Sequence, residues 1–330
     1  MRPATPGQLL KYAGTPAFLV TDLLNIRYLT GLSLTAGVLL VAPRKFELFV
    51  DSRYREAAEK KTENFTVADL ADLPAVMKKI RRCGCEAEHV TLYRESVWKK
   101  KFPNTKFVQT VGVFQGFRRQ KEDEELRLLK RAHRMTKELL RRIPSALRGG
   151  ITEETLARKL LLWALELGAD GLSFDPIVAF GTHTSSPHHR PTSRSLQKGH
   201  MVQIDVGIKY KGYCADMSEV FFTVKPTKTE AQVYKTLSIA KDRAMKKAKA
   251  GVSTRELDQI ARDVLKKAGI EQYFTHSLGH GVGLEIHEGV SISIKAPYAK
   301  LMKNEVITIE PGAYFPGKFG MRLEDMVFVQ

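Results

Sequence analysis

Residues 201–224, MVQIDVGIKYKGYCADMSEVFFTV, leave the chain little conformational choice. Two apolar, β-branched runs flank the polar tetrad Lys209-Tyr210-Lys211-Gly212, which is the composition of a hairpin whose turn uses a glycine. A two-residue loop at Tyr210-Lys211 sets Lys209 opposite Gly212 and Asp205 opposite Asp216. Cross-strand neighbours have β-carbons roughly 4.5–5.5 Å apart, so two carboxylates placed there repel. Set between Ile204, Val206, Val220 and Phe221, the pair needs a countercharge, and a divalent cation supplies one. The plainer alternative is a solvent-facing acidic pair on an edge hairpin, because register decides which side chains share a face.

The same device returns in VITIEPGAYFPGKFGMRLEDMVFV, residues 306–329. An apolar run ends at Glu310, Pro316-Gly317-Lys318 reads as a turn, and the return strand carries Glu324, so that with Gly317 at the centre Glu310 faces Glu324. Between the two hairpins lies Ser277-Leu278-Gly279-His280-Gly281-Val282-Gly283, a glycine-rich stretch presenting one histidine. Four carboxylates and an imidazole are thereby expected to converge. Such an oxygen-rich set suits two hard or borderline divalent ions rather than a structural zinc in a closed cysteine–histidine tetrahedron. Four carboxylates also offset the charge of two divalent ions.

At 330 residues the chain is long enough for a large core and for two domains. No window reaches the ~18 consecutive apolar residues of a membrane span. The opening MRPATPGQLLKYAGTPAFLV lacks the unbroken apolar core of a signal peptide, so a cytoplasmic protein is expected. Three cysteines, Cys83, Cys85 and Cys214, argue against a disulfide framework. Cys83-Gly84-Cys85 has no second cysteine pair to complete a metal site, and Cys214 reads as a small buried residue on the face of Asp216. The formal charge of +17 comes from basic clusters scattered over several segments, such as Lys78 to Arg82 and Lys246 to Lys249. They lack the aromatic interleaving of a single-strand groove, which favours a solvated surface over nucleic-acid binding.

Along the chain, Ala17 to Val20, Gly37 to Val41 and Glu47 to Val50 read as strands, and Tyr54 to Lys61, Leu73 to Arg82 and Ser96 to Phe102 as helices. This is a small α/β domain covering residues 1–118. From Glu122 a leucine-rich helical period opens a second domain, residues 119–330, with acids in its first turn. Thr152 caps a helix through Leu167, a strand follows near Phe174 to Gly181, and residues 182–194 form a histidine-rich loop. Helices over 229–250 and 253–268 complete an α+β half in which a helix pair and an acid-bearing hairpin occur twice, the layout of an internal duplication.

Taken in order, IDVG, CADMS, SLGHGVGLEIHE, ITIEPG and RLEDMV resemble the dinuclear pita-bread metallopeptidases, which comprise Xaa-Pro dipeptidases, Xaa-Pro aminopeptidases and methionyl aminopeptidases. The stretch FLVTDLLNIRYLTGLSLTAGVLLVAPRKFELFVDSRYREAA is similar to the N-terminal domain of creatinase and prolidase-type proteins, so the resemblance covers nearly the whole chain. It implies a pita-bread catalytic domain, an antiparallel curved sheet covered by helices, behind a smaller creatinase-like domain. It also implies two divalent metal ions, manganese first and cobalt, zinc or iron as alternatives. By that resemblance Asp205 and His280 bind different ions, Asp216 and Glu324 bridge the two, and Glu310 completes the second site.

The activity so implied is hydrolysis of the bond between an N-terminal residue and proline by a metal-bridging hydroxide, with Glu310 moving the proton to the leaving nitrogen. His287 would bind the peptide and stabilise the oxyanion, and His188, beside His189, would contact substrate or intermediate. His276 and His183 are expected only to line the site. Arg322 shares the strand face of Glu324 by period two and would orient it or receive a substrate carboxylate, while Tyr314 and Phe180 would wall a proline ring. The creatinase-like domain favours Xaa-Pro enzymes over methionyl aminopeptidases, and the resemblance implies proline-containing peptides as substrates and a homodimer. The rival is a catalytically inactive pita-bread module that binds protein or nucleic acid. Two departures from the family pattern stand out: Ser218-Glu219 where threonine and arginine are usual, and an end at Gln330 soon after Glu324, which is expected to weaken support for the final hairpin.

Overall fold

The computed structural model describes residues 4–330 and divides the chain into two compact units, one up to Arg118 and one from Arg119 onward. In the first unit six strands form one sheet, in spatial order Thr66–Asp69, Lys45–Val50, Val38–Ala42, Phe18–Val20, Arg82–Glu86 and Lys106–Thr110. Val38–Ala42 runs antiparallel to both neighbours and the other pairs are parallel. Alternate residues feed opposite cores: Phe18 and Val20 pack with Leu9, Ile26 and Phe114, and Leu19 packs with Met77, Trp98 and Phe102. Covered on both faces, such strands are apolar without interruption, which is why Phe18-Leu19-Val20 shows no alternation.

The helix expected from Leu73 to Arg82 stops at Met77, and Arg82–Glu86 is a strand. Pairing on both edges, with Phe18–Val20 and with Lys106–Thr110, overrides the local helical signal. Cys83 and Cys85 turn into the core beside Leu19 and Trp98, which ends any metal or redox reading of Cys83-Gly84-Cys85. Burial pushes the Cys83 thiol up to about 12 and that of Cys85 to about 11. A thiol reagent in mildly alkaline buffer should therefore label neither cysteine in the native protein and both after denaturation. Fast labelling of either in the native protein would contradict this core placement.

In the second unit every strand pair is antiparallel. Helix Asp123–Ala146 starts from a reciprocal capping box between Glu122 and Glu125, and its buried Leu128, Ala132, Met135, Leu139 and Ile143 recur at helical spacing. With helix Glu153–Glu166, capped by Thr152, it covers Val178, Phe180, Val202, Ile204 and Val206 of the strands Ile177–Phe180 and Met201–Val206. The helices Lys228–Lys247 and Thr254–Lys267 likewise set Leu237, Ala240, Ala261 and Leu265 against Ile307, Ile309, Ala313 and Met321. Each such buried aliphatic side chain larger than alanine contributes about 1.5–3 kcal/mol. With Val202, Ile204 and Val206 committed to the helices, period two leaves Gln203 and Asp205 on the inner face. Among the described residues, no helix is long and apolar enough to cross a membrane.

Candidate active site

The first hairpin closes one residue later than its sequence predicts. Tyr210 pairs with Tyr213 and Lys209 with Cys214, leaving Lys211-Gly212 as the loop with φ of 46° and 77°. A two-residue turn of this hand needs positive φ at both positions, and glycine takes the second without strain. Asp205 consequently pairs with Ser218 and not with Asp216. Moving the turn by one residue moves each partner by two positions, so Asp216 keeps the face of Asp205 as a diagonal neighbour. The expected facing pair is thus wrong in register, yet the two carboxylates still share one face.

The second hairpin keeps its predicted centre at Gly317, with Gly312 opposite Arg322 and Val306 opposite Phe328. Glu310 and Glu324 stand between these two ladders, where strand pairing lapses. The Glu310 N–H donates to the Leu278 carbonyl at 2.7 Å, and the Glu324 N–H donates to the Ser218 carbonyl at 3.0 Å. One bond ties the final hairpin to the glycine-rich stretch and the other ties it to the first hairpin. His280 lies between Gly279 and Gly281, where a β-carbon would fall 2.0 Å from the Thr308 carbonyl oxygen and 2.1 Å from that of Glu288. Only glycine lets the backbone lie so close.

These constraints bring Asp205, Asp216, Glu310, Glu324 and His280 together. Nε2 of His280 lies 3.5 Å from Asp216 Oδ2 and 3.7 Å from Glu310 Oε1. Its Nδ1 is 3.1 Å from the Gly281 carbonyl, to which it donates, so Nε2 is the ring nitrogen that faces the carboxylates. Asp205, Asp216 and Glu324 are buried. Burial, and after it the neighbouring carboxylates, push Asp216 and Glu324 well above the usual carboxylate range. Asp205 Oδ1, Asp216 Oδ1 and Glu324 Oε1 are buried and accept no hydrogen bond. Desolvated oxygens of like charge are costly unless a cation meets them. The donor set therefore fits hard or borderline divalent ions.

Arg322 makes four hydrogen bonds in holding this set. Its Nη2 donates to Asp205 Oδ2, its Nε to Ser218 Oγ at 3.0 Å, and its Nη1 to the Tyr314 hydroxyl at 2.6 Å and the Pro187 carbonyl at 3.2 Å. Ser218 Oγ in turn donates to Glu324 Oε2 at 2.9 Å, so the guanidinium orients two carboxylates, the first of the two roles expected of it. Tyr314 is buried, with its hydroxyl 3.1 Å from His276 Nε2, and belongs to this network rather than to a proline-binding wall. Burial lowers the His276 pKa to about 4 and raises that of Tyr314 to about 12, so the chain from Arg322 through Tyr314 to His276 carries no charge beyond the guanidinium. Phe180 is 0% exposed in the helix-covered core and cannot touch a substrate ring. The departure at Glu219 points away from the site, where it accepts from Tyr234 Oη at 3.4 Å.

Sequence reasoning passed over Gln203. Its Oε1 accepts from the Arg322 N–H at 2.8 Å and its Nε2 donates to the Arg322 carbonyl at 3.2 Å, clamping one hairpin to the other. The signal was present, since Gln203 shares the face of Asp205 by period two. His287 lies on the open side, its ring edge-on to His280 with centroids 4.2 Å apart. Partial burial first, and the charges of His280 and His188 next, lower its pKa. His188 is exposed, whereas His189 and His183 turn the other way onto Glu153.

Among the described residues, two clusters bring acidic and imidazole ligand atoms within 4.8 Å of one another: Asp216 with His280 and Glu324, and Glu153 with His183 and His189. They differ in what their oxygens already hold. Glu153 Oε1 accepts from Phe180 N–H at 2.8 Å and His183 Nδ1 at 2.9 Å. Its Oε2 accepts from Thr192 N–H at 3.0 Å, Thr192 Oγ at 2.7 Å and His189 Nε2 at 2.9 Å. Five donors saturate a carboxylate, so this second cluster is a hydrogen-bonded clasp.

The family model described as Metallopeptidase family M24 matches residues 127–330, and that described as Creatinase/Prolidase N-terminal domain matches residues 7–120. A Xaa-Pro dipeptidase from Pyrococcus horikoshii is 29% identical over 95% of this chain and 90% of its own length. A solved Xaa-Pro dipeptidase from Bacillus anthracis superposes with a TM-score of 0.94 at 30% identity, covering 98% of this chain and 93% of its own. The structure of an X-Pro aminopeptidase from Thermotoga maritima gives a TM-score of 0.90 at 32% identity, covering 97% of this chain and 94% of its own.

Proposed function

The chain belongs to metallopeptidase family M24, with the pita-bread fold behind a creatinase-like domain, and on that footing we propose that it is a metal-dependent exopeptidase that cuts between an N-terminal residue and proline. The observation that carries the reading is the buried convergence of carboxylates on His280 Nε2, with three oxygens that no hydrogen bond meets. Asp205, Asp216, Glu310, Glu324 and His280 would hold two divalent cations, with Asp216 and Glu324 shared between them. Manganese suits an oxygen-rich set with one imidazole. Bound divalent cations supply Lewis-acid chemistry, polarising a carbonyl and lowering the pKa of water.

The protein's own groups then have distinct tasks. Burial raises the pKa of Glu310, and His280 and Arg322 restrain the rise, which suits a carboxylate that takes a proton from the attacking water and returns it to the proline nitrogen as the C–N bond breaks. His287, with its lowered pKa, enters as a neutral N–H donor to the carbonyl oxygen as charge develops there, and His188 would contact the substrate or intermediate. Arg322 and Tyr314 touch no substrate in this reading and keep Asp205 and Glu324 in place. A homodimer is the assembly the resemblance implies.

The test is turnover of a Xaa-Pro dipeptide and a Xaa-Pro-Yaa tripeptide, against an Ala-Ala control, by chelated and by manganese-reloaded protein. Metal-dependent release from a proline substrate supports the reading, and the preferred length separates dipeptidase from aminopeptidase. Turnover of the control alone, or none with manganese, cobalt, zinc or iron, overturns it. A second expectation needs no substrate. Crowded carboxylates with raised pKa values hold protons, and a cation displaces them, so adding manganese to chelated protein in weak buffer near neutrality should release protons. A silent pH trace upon stoichiometric binding would contradict it.

A further inference from the structure

The five donors on Glu153 come from both ends of one loop. The segment leaves strand Ile177–Phe180, passes through a short helical turn at Gly181–Ser185 and returns at Thr192 beside the start of helix Glu153–Glu166. Glu153 is 0% exposed, and its oxygens are met only when that loop is folded back onto it. Backbone bonds from Glu153 N–H to the Arg194 carbonyl and from Glu154 N–H to the Thr192 carbonyl, both 3.1 Å, close the same base. At the tip stands His188, whose ring makes no hydrogen bond among the described residues. Its two chain neighbours are both fixed: the Pro187 carbonyl accepts from Arg322 Nη1 at 3.2 Å, and His189 Nε2 donates to Glu153 Oε2 at 2.9 Å.

We propose that Glu153 is a positioning residue for His188, acting through His189 and the loop base to hold the His188 ring over the candidate centre. Arg322 fixes one side of the His188 backbone from within the centre, and Glu153 fixes the other side from the helix. The Pro187 carbonyl, 3.2 Å from Arg322 Nη1, ties the residue next to His188 directly to a side chain of the centre. What His188 does there rests on the exopeptidase reading, whereas how it is held does not.

The experiment compares Glu153→Gln, His188→Ala and the double variant in kcat/KM on the proline substrate, with hydrogen exchange of wild type and Glu153→Gln alongside. Glutamine keeps the size of the side chain but points an amide at donors that need an acceptor. We expect Glu153→Gln to lose roughly tenfold to a hundredfold in kcat/KM, since small misplacements of a reacting group cost that much. The double variant should be no worse than His188→Ala alone, and faster exchange should be confined to residues 181–194. Losses that multiply in the double variant, or unchanged exchange in that segment, overturn the proposal. Should Glu153→Gln fail to fold, His189→Ala and Thr192→Val remove one side chain's donor each and must show the same non-additivity with His188→Ala. If wild type hydrolyses no proline peptide the exopeptidase reading falls, and the exchange measurement still decides the clasp.

Discussion

Replacing Glu310 by glutamine is expected to lower kcat by about a thousandfold, within the range general acid–base groups supply. The substitution should leave the backbone where it is, because the Glu310 N–H is anchored to the Leu278 carbonyl at 2.7 Å and the neighbouring ladders keep their register. What it removes is a charge and a proton acceptor facing His280 at 3.7 Å and Arg322 at 3.9 Å. Since the proposed substrate donors His287 and His188 are untouched, KM should change little. Metal content must be measured on the same sample, because a carboxamide is a poorer ligand than a carboxylate. A fully loaded variant within threefold of wild type would exclude Glu310 from proton transfer.

Replacing Lys121 by methionine is expected to cost the second unit about 3–5 kcal/mol, the penalty of breaking a buried ion pair from one side. Lys121 Nζ and Glu288 Oε1 are 2.7 Å apart with side chains only 1% and 2% exposed. Glu288 also reaches the backbone of the loop it belongs to, accepting from the Glu285 N–H at 3.3 Å. After the substitution its carboxylate stays buried without the Lys121 ammonium beside it. Pairing Lys121→Met with Glu288→Gln should recover much of the loss, because two neutral groups need no desolvated charge. Urea unfolding by linear extrapolation measures both. A single-variant loss below about 1 kcal/mol would place the pair in effectively high dielectric and remove the argument.

The chemistry of the site was more legible in the sequence than its geometry. Asp205, Asp216, His280, Glu310 and Glu324 could be singled out because charged residues inside apolar runs are conspicuous. Their alignment could not, since whether Tyr210-Lys211 or Lys211-Gly212 forms the loop depends on backbone torsions that both pairs tolerate on paper. Face survived the error because side-chain direction has period two. Glu153, clamped from residues 27 to 39 positions away, left no local trace at all. Phe180 and Tyr314 misled for the opposite reason: an aromatic beside a strand looks the same whether it faces the core, a hydrogen-bond network or solvent. In the N-terminal unit, Arg82–Glu86 was hidden because pairing on both of its edges, not propensity, makes it a strand.

The bonds between the two hairpins span most of the second unit: Arg322 reaches Asp205 across 117 residues and Ser218 reaches Glu324 across 106. Contacts this distant in sequence form late, after the entropy of closing a long loop has been overcome. During refolding, then, helix formation and burial of the two apolar layers should precede any tight hold on a cation. An indicator dye that loses manganese to the chain would report completion of the native topology rather than collapse, and its signal should lag behind far-ultraviolet dichroism.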